Sequence, residues 1–539
     1  MAQSPPIIVA GMHRSGTTLV AKLLRSGGVA MGPSSRQGDH QEDVGFVEFH
    51  RMLLKNCVPA DKPGWLDWGW TEDEAFDVTR ADPFKNQAFA RAHTRTPGGH
   101  WGWKDPRTTL FLDFWKEIIP GSRFLLVYRF PWEVADSMQR LGSSVFLRNA
   151  GYAHRIWRFY NERIVAFARA NPDRCLLVSA NAMMHRSDGF RELMHERFDV
   201  DIRQRAFARI YDRERFVSTD ARIDPLVTLL AAASPASIQL LKELDDRADL
   251  SSAPFWNAGE PPALQLLRRP ERTGSVSTSV IIPCFNHGEL LLEAVASVER
   301  SVPAETTELI IVNDGSTEPR TLAVMAALKS LGYHVIDKEN GGVAGARNVG
   351  IEAAAGRYIL PLDADNRLLP GYVQQGTAVL DRTPATGVVY SSRRVFGGRN
   401  HLVFPPSPRF PHMCYCNRVD ACALFRREVW NDCNGYDTNL DALEDWEFWI
   451  HAMIKGWKFH HLPDVLFEYR VRPGSMLRGA MHDDPSSERD RYIYTKHAAA
   501  LRPWLGPGPG GHDPPHARLV RRLRRAWILR TYRRRGIRP

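Results

Sequence analysis

The stretch IIVAGMHRSGTTLVAKLL, Ile7–Leu24, decides the fold of the N-terminal part of the chain. An apolar run ends at a glycine, a second glycine follows five residues later, and a helical pattern begins after it. This is nearly the strand–loop–helix of a phosphate-binding loop, but the lysine of that pattern is missing. Backbone N–H groups in such a turn form an anion cradle. The loop therefore favours a ligand with a single 5′-phosphate group over a triphosphate.

Five residues of this loop and two from a later segment are candidate contacts for one phosphate-bearing ligand. Thr17 and Thr18 bring hydroxyl donors to the first helical turn, and Arg14 adds a charged fork that suits a phosphate. In VYRFPWEVADSMQR a strand ends at Arg129, and Ser137 follows eight residues later on a helix. Strand end and helix can present both side chains to one phosphate. The loop candidates are Arg14, Ser15, Gly16, Thr17 and Thr18.

With these two motifs in order, the sequence resembles the sulfotransferases that use 3′-phosphoadenosine-5′-phosphosulfate (PAPS). GMHRSGTT is similar to their 5′-phosphosulfate loop, and the Arg129 and Ser137 pair is similar to their 3′-phosphate site. The segments WGWKDPRTTLFLDFW and RIWRFYNERI also match the bacterial branch of the family. The resemblance covers most of residues 5–200 and implies PAPS as sulfate donor. A P-loop kinase or NTPase is the rival class, which the missing lysine disfavours.

Sulfuryl transfer needs a base for the acceptor hydroxyl and a cation near the bridging oxygen. DVGFVEFH resembles the family segment that carries a catalytic glutamate, which corresponds to Glu48, with His50 as the alternative base. Lys104 either neutralises the leaving phosphate or forms a salt bridge with an acid such as Asp105. Three tryptophans either stack on a sugar or fill the core: Trp65, Trp68 and Trp70.

Five short motifs follow in order in the second half of the chain. Pro283 and Phe285 can wall a nucleotide base, and Asp314, at a strand end, can accept a pyrimidine imide N–H. Asp363 and Asp365 end an apolar strand, where alternation aims the two carboxylates differently. Oxygen ligands suit Mg²⁺ or Mn²⁺, which also bridges a diphosphate. The motifs are STSVIIPCFNHGELL, LIIVNDGST, NGGVAGARNVG, LPLDADN and LEDWEFW.

Together these motifs resemble family-two glycosyltransferases with the GT-A fold, across about residues 276–480. The resemblance implies a nucleotide-sugar donor and a single inverting displacement, in which UDP or another nucleoside diphosphate leaves. It assigns Asp445 as the base, Arg347 as a nucleotide contact and Asp365 as the metal ligand, while Asp363 contacts the donor. Many members carry a histidine as a further metal ligand where this chain has Arg472. Arg472 can instead neutralise the diphosphate.

Composition and cysteine usage bound the class of protein. Hydrophobic residues make up 43% and charged residues 24% of the 539-residue chain, as in globular proteins. No apolar run approaches the roughly 18 residues of a membrane span, and MAQSPP lacks a signal-peptide pattern. Seven scattered cysteines indicate a reducing compartment, with Cys414-x-Cys416 interpreted as structural. We therefore expect a cytoplasmic protein.

The basic charge is concentrated at the C-terminus. The formal net charge is +10, and the segment after Ala517 alone contains ten arginines and no acid. RLVRRLRRAWILRTYRRR, Arg518–Arg535, mixes these arginines with apolar residues and predicts a basic amphipathic helix at the inner face of an anionic membrane. The alternative is a disordered tail that solubilises the protein or adheres to RNA. We expect no specific nucleic-acid partner.

Composition breaks and strand–helix alternation predict two α/β domains. We place a P-loop-type parallel-sheet sulfotransferase domain at 1–255, a linker at 256–275 and a GT-A (Rossmann-like) glycosyltransferase domain at 276–500. A Pro/Gly spacer and the Arg-rich tail occupy 501–539. The expected function is bifunctional transfer of sulfuryl and sugar groups to a glycan, glycolipid or surface polysaccharide. The alternative is a glycosyltransferase whose N-terminal domain is degenerate and only binds acceptor.

Overall fold

The computed structural model describes residues 4–33, 41–61, 64–67, 75–94, 99–148, 151–210, 224–256, 275–414, 416–472 and 488–505. The chain divides into two compact units, Met1–Leu141 with Gly151–Ala263, and Gly142–Ala150 with Leu264–Pro539. Most of the predicted linker, the Arg-rich tail, Trp68 and Trp70 lie outside the described residues. The domain boundaries at 255 and 276 stay predictions.

The first unit is built on a parallel four-stranded sheet in the order β2-β1-β3-β4, within its described residues. Every residue of β1 is buried, and an uninterrupted apolar strand of this kind is typical of a parallel sheet with both faces covered. Because β1 and β3 are parallel neighbours, the loops that follow them meet at one edge. The strands are β1 (Ile7–Gly11), β2 (Gly102–Lys104), β3 (Arg123–Tyr128) and β4 (Cys175–Ser179).

The second unit is built on a mixed nine-stranded sheet, again counting described residues only. Strands β7, β6, β5 and β8 are parallel neighbours, and β12 joins them in antiparallel fashion to the long pair β10 and β13. The α/β fold class is confirmed in both units. The strands are β5 (Thr278–Cys284), β6 (Thr307–Asp314), β7 (His334–Lys338), β8 (Tyr358–Pro361), β9 (Arg367–Leu368), β10 (Thr386–Gly397), β11 (His401–Val403), β12 (Leu424–Arg426) and β13 (Lys458–Val471).

Helices connect the strands of both sheets. Short 3₁₀ segments occur at Val78–Phe84, Pro106–Phe111 and Pro172–Arg174. The α-helices are α1 (Thr17–Ser26), α2 (Val44–Cys57), α3 (Lys85–His93), α4 (Leu112–Ile118), α5 (Pro131–Arg140), α6 (Ser144–Arg148), α7 (Tyr152–Ala170), α8 (Ala180–His185), α9 (Ser187–Phe198), α10 (Gln204–Ile210), α11 (Pro225–Ala233), α12 (Pro235–Arg247), α13 (Ala253–Trp256), α14 (Gly288–Ser301), α15 (Pro319–Ser330), α16 (Gly342–Ala353), α17 (Tyr372–Arg382), α18 (Phe410–Met413), α19 (Arg427–Asp432), α20 (Glu444–Ile454), α21 (Glu488–Lys496) and α22 (Ala498–Leu505).

None of the helices in the described ranges is, by itself, both long and apolar enough to cross a membrane. Helices α11 and α12 reach the required length and composition only when taken together, and they are bent by 112° at the break between them.

A buried carboxylate ties the end of the first unit to its sheet. Asp245, at the end of α12, accepts hydrogen bonds from Tyr128 Oη at 2.5 Å and from Trp256 Nε1 at 2.5 Å. The hydroxyls of Ser251 and Ser252 donate to it at 2.9 and 2.8 Å, and the Ser252 backbone N–H donates at 2.6 Å. Burying a carboxylate is costly unless its lone pairs are used. These donors therefore stabilise the fold of residues 245–256 against β3.

Candidate active sites

The loop after β1 has the backbone of a tight anion-binding turn. Ser15 N–H donates to the Met12 carbonyl at 3.2 Å, and Arg14 and Gly16 have left-handed φ angles of 68° and 93°. A Cβ at Gly11 would lie 2.3 Å from a backbone oxygen of β3, so this position requires glycine. The Ser15 hydroxyl is buried and, among the described residues, has no hydrogen-bond partner. The loop therefore presents a buried hydroxyl beside the start of α1.

The structure brings the two predicted phosphate motifs of the first unit together. Arg14 Nε donates to Ser137 Oγ at 2.8 Å, and Arg129 Nη1 lies 3.4 Å from the Arg14 carbonyl oxygen. Arg129 is buried and fixed by a 2.7 Å contact with Glu133 Oε2, which Asn181 also contacts at 2.8 Å. Two guanidinium groups and a hydroxyl thus form one cluster at the carboxyl edge of the sheet. Such a cluster is suited to binding anionic oxygens.

Lys104, at the end of β2, lies beside the same loop, and its partner is a carboxylate that sequence reasoning missed. Lys104 Nζ is 3.0 Å from Glu42 Oε1 and 3.4 Å from Thr18 Oγ1. Burial lowers the pKa of Lys104, while the Glu42 carboxylate opposes that change. Glu42 directly precedes Asp43, which caps α2 by accepting from Gly45 N–H at 2.9 Å. That cap marks the start of α2 in the sequence, but it does not indicate the contact between Glu42 and Lys104.

The predicted base Glu48 and its alternative His50 occupy different surroundings. The Glu48 carboxylate is 64% exposed and bonded to Arg51 at 2.7 Å. His50 is fully buried, with Nδ1 2.7 Å from Asp105 Oδ2, and its Nε2 accepts from Trp115 Nε1 at 2.8 Å. Since indole only donates, His50 is the neutral tautomer with both nitrogens bonded. His50 is therefore a core residue, and Glu48 as base stays a prediction.

Buried Arg107 holds the segment that carries Trp65. Its guanidinium donates to the backbone oxygens of Leu66 at 3.0 Å and Asp67 at 2.6 Å, and to Asp105 Oδ1 at 2.8 Å. Burial alone raises the pKa of Asp105, but Arg107 and the His50 contact hold it well below its usual range. The Trp65 ring packs half-buried against Tyr152, with ring centroids 5.3 Å apart.

In the second unit, Arg347 joins three of the five motifs. It is 2% exposed on α16, and its Nη1 and Nη2 lie 2.5 Å from Glu444 Oε1 and 2.8 Å from Asp363 Oδ1. Burial and the neighbouring Asp365 raise the pKa of Asp363 to about 6, while Arg347 opposes that rise. The described contacts of Arg347 therefore position carboxylates; its predicted nucleotide contact stays a prediction.

Asp445 lies at the start of α20 with the features of a proton acceptor. Its Oδ2 accepts from Asn417 Nδ2 at 2.8 Å, and Oδ1 accepts from the Trp446 N–H at 2.8 Å. Burial and the adjacent Glu444 raise the pKa of Asp445 to about 8, with Arg347 opposing. A carboxylate with a pKa near neutrality is well matched to general-base chemistry.

The nucleotide-contact candidates lie at the ends of two neighbouring strands. Pro283 and Asp314 are on the parallel strands β5 and β6, and Phe285 follows β5 with 44% of its surface exposed. Asp314 Oδ1 accepts from Lys338 Nζ at 2.6 Å and from the Gly341 N–H at 3.0 Å. An exposed ring beside a buried, oriented carboxylate can hold a base. Lys338 was not anticipated from the sequence.

The side chains around Asp365 do not complete the three-ligand metal site that the resemblance implies. Arg472 Nε and Nη2 lie 3.0 and 2.9 Å from Asp365 Oδ2, and Nη2 is also 2.8 Å from His287 Nε2. A guanidinium carries no lone pair for a cation. At this position the chain therefore has a positive charge in place of a ligand. Asp365 as a ligand of Mg²⁺ or Mn²⁺ stays a prediction.

A buried ion network fixes the backbone that carries Asp365. Arg470 Nε donates to the Asp365 carbonyl at 2.8 Å, and its Nη2 lies 2.5 Å from Glu293 Oε2. Arg367 Nε donates to the same Glu293 oxygen at 2.9 Å. Burial alone raises the pKa of Glu293, but Arg367 and Arg470 lower it to about 2. The network thus keeps Glu293 ionised and the D-x-D turn in place.

Further along α20, one carboxylate links this helix to the next. Glu447, His451 and His497 have ligand-type atoms within 4.8 Å of one another. However, the Glu447 Oε1 atom is already 2.6 Å from His497 Nε2 and 2.9 Å from Lys496 Nζ. An ammonium at that distance opposes a second cation. The group therefore serves as a link between α20 and α21.

Comparisons with known proteins agree with this division of the chain. A model described as "Sulfotransferase family" matches residues 5–203. A model described as "Glycosyl transferase family 2" matches residues 279–432. The first match includes the phosphate loop with Arg129 and Ser137. The second includes Asp314, Arg347 and Asp363 and ends before Asp445.

Curated relatives and solved structures resemble parts of the chain. The uncharacterized protein y4gI of Sinorhizobium fredii is 25% identical over 41% of this chain and 25% of its own length. The amylovoran biosynthesis glycosyltransferase AmsB of Erwinia amylovora is 27% identical over 38% of this chain and 73% of its own. The chain spans a quarter and 16% of the lengths of the first two curated relatives it matches.

Among solved structures, S. aureus TarS 1–349 in complex with UDP-GlcNAc aligns at 20% identity with a TM-score of 0.37. The alignment covers 42% of this chain and 67% of that one. On the two family matches, the chain is a fusion of an N-terminal sulfotransferase-like region and a C-terminal region of the glycosyl transferase family 2 type.

Proposed function

We propose that the chain transfers a sugar from a nucleotide-sugar and a sulfuryl group from PAPS to a glycan, glycolipid or surface polysaccharide. The observation that carries the proposal is the clustering of each unit's predicted donor residues. In the first unit, Arg14 contacts both Ser137 and Arg129. Arg347 joins Asp363 to the helix of Asp445 in the second.

In sugar transfer, Asp445 accepts the proton of the acceptor hydroxyl. The acceptor oxygen then bonds to the anomeric carbon while the bond from that carbon to the diphosphate oxygen breaks, with inversion. The nucleoside diphosphate leaves with the electron pair of the broken bond. Asn417 orients the Asp445 carboxylate through its 2.8 Å hydrogen bond, and Asp314 and Phe285 bind the base. Arg347 keeps Asp363 directed at the donor.

In sulfuryl transfer, we assign the base role to Glu42 in place of Glu48. Glu42 stands beside Lys104 and the loop helix, while Glu48 faces solvent. The acceptor oxygen bonds to sulfur, the bond from sulfur to the phosphate oxygen breaks, and the proton passes to Glu42. Lys104 neutralises the charge that develops on that leaving oxygen. The product is adenosine 3′,5′-bisphosphate.

The relatives' names support a proposal for the acceptor class. AmsB is named for amylovoran biosynthesis, and ExoO of Rhizobium meliloti is named as a succinoglycan biosynthesis protein. A polysaccharide or its lipid-linked precursor is therefore the proposed acceptor. The competing proposal is a degenerate first unit that binds acceptor without transferring sulfate, and its phosphate cluster is the observation against it.

Donor binding tests the sulfotransferase half of the proposal. Adenosine 3′,5′-bisphosphate should raise the melting temperature of the full chain, whereas ATP with Mg²⁺ should not, because the loop lacks the lysine that holds a triphosphate. Arg129→Ala should weaken binding by about 1.5–3 kcal/mol through the lost charge-assisted contact. Arg140→Ala, at an exposed position at the end of α5, is the matched control. Equal stabilisation by both nucleotides would refute the assignment of the loop.

We propose a cytoplasmic location, with the tail holding the enzyme at the inner face of an anionic membrane. Each basic residue near such a surface contributes about 1 kcal/mol. The full chain should therefore sediment with anionic liposomes at low salt and be released at high salt. A chain lacking residues 516–539 should stay in the supernatant. Sedimentation that survives this deletion, or that ignores salt, would contradict the membrane role.

A further inference from the structure

We propose that Arg472 supplies the positive charge for the donor diphosphate, so that nucleotide binding and sugar transfer require no divalent cation. This inference rests on the proposed glycosyltransferase function of the second unit. It concerns the site at which a metal is expected from the family resemblance. The chain's own residues there form a different arrangement, centred on a guanidinium.

The contacts of Arg472 define that arrangement. Its Nε and Nη2 atoms lie 3.0 and 2.9 Å from Asp365 Oδ2, the geometry of a carboxylate–guanidinium pair. Nη2 also lies 2.8 Å from His287 Nε2. The His287 Nδ1 atom is 2.8 Å from the Asn286 carbonyl and donates to it, so Nε2 is the lone-pair nitrogen of a neutral ring. Arg472 is therefore held by two acceptors on different elements.

The neighbouring titratable groups support a neutral His287 and a charged Arg472. Burial and then Arg472 itself lower the pKa of His287, while Asp365 opposes this. A neutral imidazole accepts the guanidinium N–H without adding charge. The Asp365 and Arg472 side chains are 15% and 16% exposed, so the pair is oriented by protein and still accessible to a ligand.

The position of Arg472 on the Asp365 carboxylate disfavours a divalent cation there. Asp363 is already bonded to Arg347, and Asp365 is bonded to Arg472. A metal at Asp365 would face the guanidinium directly, because both would use the same carboxylate. An arginine fork has five N–H donors. The described contacts use those of Nε and Nη2, and those of Nη1 suit the oxygens of a diphosphate.

Nucleotide binding by the full chain tests the proposal without relying on turnover. We would titrate UDP, GDP, CDP and ADP by calorimetry in EDTA and again in Mn²⁺, with UMP as the monophosphate probe for a uridine site. One diphosphate should bind in EDTA as tightly as in Mn²⁺. Arg472→Ala should weaken the binding of that nucleoside diphosphate by about 10- to 100-fold and leave the binding of the corresponding monophosphate unchanged. Retained monophosphate binding also shows that the variant is folded.

Arg472→His provides the converse test. An imidazole at this position, beside Asp365 and His287, would offer a donor set that Mn²⁺ accepts. This variant should bind Mn²⁺ in the presence of the nucleotide, seen as loss of the free-ion electron paramagnetic resonance signal. The wild type should not, nor should Arg394→His, a matched change at an exposed arginine of the same unit.

Two results separate failure of this inference from failure of the proposed function. Diphosphate binding that appears only with Mn²⁺ in the wild type would overturn the role of Arg472 and leave the glycosyltransferase proposal standing. If none of the four diphosphates binds under either condition, the nucleotide-sugar site itself is refuted, and the role of Arg472 with it.

Discussion

Asp445→Asn should lower the rate of sugar transfer by about 10²- to 10⁴-fold, the usual cost of losing a general base. The amide keeps the shape of the side chain, and its single oxygen can accept from Asn417 or from the Trp446 N–H, but it cannot take the acceptor proton. Nucleotide binding should therefore persist while turnover collapses. The measurement supplies both donors with a preformed acceptor and follows sugar and sulfate incorporation separately.

The pH profile gives this prediction a second readout. Burial and Glu444 raise the pKa of Asp445 to about 8, so the base is protonated and inactive at lower pH. The wild-type rate of sugar transfer should rise with pH and level off above about pH 8. Asp441→Asn, an exposed neighbour paired with Arg489, is the matched control and should leave the profile unchanged. A wild-type profile that is flat across this range would contradict the base assignment.

Glu42→Gln should reduce sulfuryl transfer by a similar factor of about 10²–10⁴ and spare sugar transfer. The amide cannot accept a proton, and it leaves Lys104 without its carboxylate partner. Glu48→Gln is the matched control, since its carboxylate lies on the exposed side of α2 and pairs with Arg51. The assay is sulfate incorporation from PAPS into a supplied acceptor.

The comparison between these two glutamates decides the base of the first unit. If Glu48→Gln loses sulfate transfer while Glu42→Gln keeps it, Glu48 is the base, as the family resemblance implies, and the contact of Glu42 with Lys104 is not catalytic. If neither change affects sulfation, another group takes the proton. If the wild type transfers no sulfate to any glycan it binds, the degenerate first unit becomes the preferred interpretation.

Local sequence patterns were sufficient to predict strands and helices that are each encoded by one continuous segment of the chain. The apolar run before Gly11, the buried runs at β3, β5, β6 and β8, and the helix after Thr17 occur as expected. Arg129 and Ser137 contact Arg14 of the loop because parallel strands place their carboxyl ends at one edge, and their role in binding phosphate stays a prediction. The pattern of apolar residues therefore predicts the strands, and the parallel pairing of neighbouring strands predicts that the loops after them meet at one edge of the sheet.

Contacts between segments that are distant in the sequence could not be predicted from local sequence patterns. The pairing of Glu42 with Lys104 depends on how the chain before α2 returns to β2, and no local pattern encodes that path. His50 has the residue type of a base, yet Asp105 and Trp115 use both of its nitrogens in the core. The strands β10 to β13, which combine antiparallel pairs with the long parallel pair of β10 and β13, were also missed, because their pairing follows from tertiary packing.

The contacts of Asp245 determine where the two halves of this chain can be separated for independent expression. A cut before Ser251 would remove the donors of Ser251, Ser252 and Trp256, and of the donors described for the buried Asp245 carboxylate it would leave that of Tyr128. A fragment that extends just past Trp256 keeps all of them. We therefore expect residues 251–256 to decide whether the N-terminal half can be produced as a stable, separately assayable protein.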